Sequence, residues 1–94
     1  MIEVTDAAKQ QLSQVTLERG LGLGRFLRLA VPPAWEGEGD FGIVIDEMGA
    51  MDSSIVHEGQ TVLLMGPDVA ERIPNSLFDY RLDPPGPRFT LDVF

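Results

Sequence analysis

From Arg25 onward the apolar residues of this chain recur at every second position, in short runs that glycine or proline soon breaks. Leu27, Leu29 and Val31 alternate with Phe26, Arg28 and Ala30 until Pro32-Pro33 stops the ladder. Phe41, Ile43 and Ile45 alternate with Gly42, Val44 and Asp46. Further on, Phe78, Tyr80 and Leu82 alternate with Asp79 and Arg81, and Phe89, Leu91 and Val93 alternate with Thr90 and Asp92. A period of two places alternate side chains on opposite faces, so each run reads as a half-buried strand. Ser54–His57 and Gln60–Met65 flank Glu58-Gly59, a two-residue hairpin signal in which glycine supplies a positive φ. Asp83-Pro84-Pro85-Gly86-Pro87 reads as a rigid turn.

The N-terminal part differs. Ile2 and Val4 alternate as a short strand, and Thr5 then offers a helix N-cap with Asp6 in the first turn. Ala8, Leu12 and Val15 form one apolar stripe, and Gly20 is a natural stop. A helix is therefore expected from about Asp6 to Arg19, followed by a flexible connector at Leu21–Gly24. A second, shorter helix should open at Gly66-Pro67-Asp68, present Val69 and Ile73 on one face and end at Pro74-Asn75. The pattern predicts a single domain over residues 1–94. Its class is mainly β with one N-terminal helix (α+β), a small β-sandwich or flattened barrel of about six or seven short strands.

Charge and cysteine content narrow the function. The formal charge is −8, from 15 acidic and seven basic residues. Such a surface repels phosphate backbones and anionic membranes, and attracts cations or proteins with basic patches. No apolar run is long enough to span a bilayer, and the first residues do not read as a secretory signal, so the cytoplasm is the expected compartment. The chain contains no cysteine. Disulfides, thiolate zinc sites and cysteine nucleophiles are excluded, and so is a cysteine-ligated iron–sulfur cluster.

The remaining chemistry is sparse. Glu36, Glu38 and Asp40 recur at alternate positions and, if extended, project to one face, where hard cations would find oxygen ligands. The other reading is a solvated acidic loop. His57, the only histidine, lies beside Glu58 at the hairpin and reads as exposed, with a place in a metal site as the alternative. Met48 and Met51 read as adaptable packing rather than as soft-metal ligands. No nucleophile, base and orienting group stand in a catalytic pattern, so the chain reads as no enzyme, and no cofactor is expected. Trp35, the only tryptophan, lies among glycines and prolines outside any strand pattern. It reads either as an interface anchor or as a ring folded back onto its own β-surface.

The order Ile2-Glu3-Val4-Thr5-Asp6-Ala7-Ala8, Leu27-Arg28-Leu29-Ala30-Val31, Asp46-Glu47, Pro67-Asp68-Val69-Ala70, Asp79-Tyr80 and Phe89 resembles the HesB-like (IscA-like) A-type carriers of iron–sulfur cluster biogenesis. The resemblance spans the chain and implies a mostly β pseudo-barrel with one main helix. It also implies a tendency to form homo-oligomers, a dimer first. In that family one cysteine lies in a Gly-Cys-Ser-Gly turn after the Leu-Arg-Leu strand, and two more form a Cys-Gly-Cys tail. Here the turn reads Ala34-Trp35-Glu36-Gly37, with Trp35 at or next to the first cysteine position, and no such tail occurs before Phe94. The resemblance thus implies the fold and, without the cluster ligands, a non-catalytic protein acting by self-association or contact with a protein partner. Trp35, Glu36, Glu38 and Asp40 are the expected contact residues. The alternative is a metal- or iron-binding protein using Glu36, Glu38, Asp40 and His57.

Overall fold

A computed structural model describes residues 2–21, 24–73, 75–84 and 86–93. The expected connector at Leu21–Gly24, the stop at Pro74-Asn75 and the turn at Asp83–Pro87 fall partly outside these residues, at Gly22, Leu23, Pro74 and Pro85. The elements run β1 (Ile2–Val4), α1 (Asp6–Glu18), β2 (Phe26–Ala30), β3 (Gly42–Asp46), β4 (Ser53–His57), β5 (Gln60–Met65), α2 (Pro67–Arg72), β6 (Ser76–Arg81) and β7 (Arg88–Val93). Mainly β with one principal helix is therefore the class observed.

The strands form two sheets. A three-stranded sheet has the order β1-β6-β7, and a four-stranded sheet has the order β3-β2-β5-β4. The parallel pairs, β1 with β6 and β2 with β5, tie distant parts of the chain together. The other pairs are antiparallel. The β4–β5 hairpin turns on Glu58 at φ 52° and Gly59 at φ 79°. Two successive positive φ values match the right-handed twist of the flanking strands, which is why a two-residue link suffices.

Helix α1 starts where Thr5 caps it. Thr5 Oγ1 accepts the Ala8 N–H at 3.1 Å and donates to Asp79 Oδ1 at 2.7 Å. One hydroxyl therefore both begins the helix and ties it to β6. The helix ends at Arg19, and Gly20 follows at φ 60°. Ala8 and Leu12 are fully buried, and Val15 packs against the same core. Phe78 lies at the centre, edge-on to Phe41 and stacked on Phe89 at 5.2 Å. Leu27, Leu29, Val62 and Leu63 of the four-stranded sheet and Val69 of α2 belong to the same buried cluster. A fully buried side chain of this kind contributes about 1.5–3 kcal/mol by leaving water.

Alternation along β2 and β3 gives the four-stranded sheet two distinct faces. Leu27 and Leu29 pair with Ile45 and Ile43 on the core side. Arg28 and Ala30 pair with Val44 and Gly42 on the other side. That second face carries the polar features described next.

Candidate functional site

The link between β2 and β3, residues 31–41, folds around one ring. The Trp35 N–H donates to Val31 O at 3.0 Å, and the indole Nε1–H donates to Glu38 O at 3.1 Å. The ring lies against Gly37 and Gly42, where an added Cβ on either glycine would overlap the indole. Both glycines are therefore required by close approach. Trp35 is half-buried, and its position on Gly42 places it on the same sheet face as Arg28. Its ring thus lies against its own β-surface, as one of the two readings had it.

Glu36, Glu38 and Asp40 belong to the same loop and are exposed. They lie in bends, with Gly39 at φ 86°, so the extended run that would align three carboxylates does not form. None of the three has an ion-pair partner among the described residues. His57 is elsewhere. It belongs to β4, at the far edge of the sheet from β3, three inter-strand spacings or about 14 Å away. Its side chain is 19% exposed, with Nε2 3.9 Å from Glu58 Oε1. It is therefore more covered than a hairpin position suggests. Among the described residues no three His, Asp or Glu side chains form a group that could hold a metal ion. Met48 and Met51 are exposed at 49% and 77%, so they are not packing residues, whereas Met65 packs on the core.

The most ordered polar cluster was not apparent in the sequence. Arg28 Nε donates to Asp46 Oδ2 at 3.0 Å, Nη1 to Asp52 Oδ1 at 2.8 Å, and Nη2 to both Asp52 Oδ2 and Glu47 O. The Gly49 N–H also donates to Asp52 Oδ2. These bonds to Asp52, first from Arg28 and then from Gly49, push its carboxyl down to about 2. The guanidinium is in turn raised, chiefly by its bond to Asp52. The cluster pins the segment 47–52 over the outer sheet face. One signal pointed toward it: Arg28 pairs with Val44, so Asp46 is its diagonal neighbour once the β2–β3 register is known.

No protein-family model matches the chain, and no curated protein sequence matches it. Solved structures do. Escherichia coli SufA, described as involved in the biosynthesis of iron–sulfur clusters, superposes with a TM-score of 0.65 at 19% identity, over 98% of this chain and 84% of SufA. IscA, solved with a [2Fe-2S] cluster, gives a TM-score of 0.63 at 25% identity, over 99% of this chain and 82% of IscA. A protein from Aquifex aeolicus gives 0.63 at 22% identity, over 96% and 88% of the two chains. The architecture built from the strand pattern and the parallel β1–β6 and β2–β5 pairings is therefore theirs. The chain, which has no cysteine, has the HesB-like fold of SufA and IscA.

Proposed function

We propose that this chain is a non-catalytic binding module that keeps the HesB-like scaffold without a cluster site and acts by contact with a protein partner bearing a basic surface. The observation that carries this reading is the state of Trp35. Its ring is fixed by Gly37, Gly42 and the Glu38 carbonyl, yet the residue remains partly exposed beside three carboxylates in its own loop that have no ion pair among the described residues. A ring already held in place loses little freedom on binding, and tryptophan is enriched among the residues that dominate interface energy. Carboxylates left unpaired beside it suit a cationic partner, which the net charge of −8 also attracts from a distance.

A second copy is disfavoured at this loop, because two such loops face to face would oppose like charges. A homodimer of this chain would use another face. The non-catalytic reading rests on side-chain chemistry. There is no thiol, the one histidine lies across the sheet from the loop, and Asp46 and Asp52 are already held by Arg28.

The test uses the whole chain as bait in an extract of its source, followed by identification of the retained protein and calorimetry with that purified partner. Trp35→Ala should weaken the complex while the far-ultraviolet circular dichroism stays unchanged. Neutralising Glu36, Glu38 and Asp40 to the corresponding amides should weaken it further and flatten its salt dependence. Binding that survives both variants overturns the reading, and so does a Trp35→Ala chain that no longer folds.

A further inference from the structure

A second site lies on the core side of β3. The two sheets leave a seam between β3 and β7, each the edge of its sheet, and α1 runs beside it. Val15, Ile43, Ile45 and Phe89 are prominent in the lining of a groove of about 390 Å3 there, and Arg19 is its one charged lining residue. That volume lies in the range of small-molecule sites, roughly 300–1,000 Å3, and an apolar wall with one charged group is their usual make-up.

Arg19 supplies the positive charge of the groove. Arg28, Arg81 and Arg88 each hold a carboxylate. Arg19, like Lys9, Arg25 and Arg72, has no ion pair among the described residues, and of these it alone lines the groove. Its charge suits the carbonyl end of α1, but that leaves the outward donors of the guanidinium free. Ile45, in the same lining, is 42% exposed.

We propose that this groove binds a small amphiphilic carboxylate, an unbranched fatty acid of medium length. The chain lies along Val15, Ile43 and Phe89, and the carboxylate meets Arg19 in the forked geometry that guanidinium favours. The proposal is independent of the Trp35 loop, which sits on the opposite face of the four-stranded sheet. It also opposes what the whole molecule dictates. A chain of charge −8 attracts a cationic amphiphile from a distance, so a preference for the anion is the signature of Arg19 itself.

The full chain is titrated with decanoate and with decyltrimethylammonium, each below its micelle concentration, and followed by amide NMR. Decanoate should shift the amides of Val15, Arg19, Ile43 and Ile45 saturably, and bind at least about tenfold more tightly than the cation. Arg19→Glu should invert that order, and Arg19→Gln should abolish it, with the unshifted remainder of the spectrum reporting an intact fold. Equal affinities, a preference for the cation, shifts centred elsewhere or no saturation would each overturn the proposal.

Discussion

Arg28 and Asp52, 24 positions apart, meet in a two-armed ion pair in which Nη1 donates to Oδ1 and Nη2 to Oδ2. Asp46 accepts from the remaining Nε, so one arginine on β2 gathers the end of β3 and the start of β4. The Asp52 side chain is 6% exposed, which makes the pair a closed unit rather than a surface contact. Four of the five guanidinium N–H donors are engaged, and the pair acts by fixing the segment that leads from β3 to β4.

This pair makes the protein acid-labile in a defined window. The Asp52 carboxyl falls from its ordinary 3.8 to about 2 in the folded chain. The unfolded chain therefore takes up this proton first as the pH drops. The stabilisation is complete above about pH 4 and is lost as pH falls toward 2. In Asp52→Asn, the slope of melting temperature against pH over that window should flatten, and the melting temperature at pH 7 should fall. An unchanged slope would remove Asp52 from the acid response.

Thr5 should report on two elements at once. Its hydroxyl caps α1 and donates to Asp79, whose carboxyl is lowered first by that bond and then by the Tyr80 N–H. Thr5→Ala should cost about 1 kcal/mol through the lost cap alone. It should also raise the Asp79 titration toward the ordinary carboxylate range, read by carboxyl NMR. Thr5→Ser keeps both bonds and should restore both measurements. A cap effect without movement of Asp79 would show that the two bonds are not shared by one hydroxyl in solution.

The Trp35 ring and Gly42 are in such close contact that the glycine has no substitute. Gly42→Ala puts a methyl group into the indole, and relieving that overlap should cost about 1–3 kcal/mol. Because Trp35 is the sole tryptophan, its emission reads the displacement directly. A shift to longer wavelength is expected, with α1 helicity unchanged. Gly24→Ala, where a Cβ meets nothing within 4 Å but the backbone sits at φ 83°, should leave the emission as it is.

What the sequence disclosed follows the range of the interactions. The Thr5 cap, the Gly20 stop and the Glu58-Gly59 turn depend on residues a few positions apart, and each forms where its local chemistry puts it. The strands β2, β3, β6 and β7 follow from alternation. The parallel pairing of β1 with β6 depends on contacts between residues such as Val4 and Phe78, which no local pattern encodes. Arg28 and Asp52 belong to the same class, since neither has meaning until the β3–β4 segment returns over the sheet. The site was half legible: Trp35 stood out by composition, but its hold on Gly37 and Gly42 required the path of the loop. His57 read as exposed, yet its side chain is largely covered at the end of β4.

The absence of cysteine leads to the last prediction, on metal loading. Iron–sulfur clusters are held by thiolates, and IscA has been solved with a [2Fe-2S] cluster on this same fold. This chain offers no thiolate, and Trp35 stands at or beside the position where the family resemblance sets the first one. Anaerobic reconstitution with iron and sulfide, followed by desalting, should leave neither element bound and no sulfide-to-iron charge-transfer absorption. Retained iron without sulfide would instead point to oxygen ligands, and Glu38→Gln with Asp40→Asn should then release it. A retained cluster with both iron and sulfide would mean that the HesB-like fold can hold this cargo without cysteine. The reading of the chain as a binding module would then fail with it.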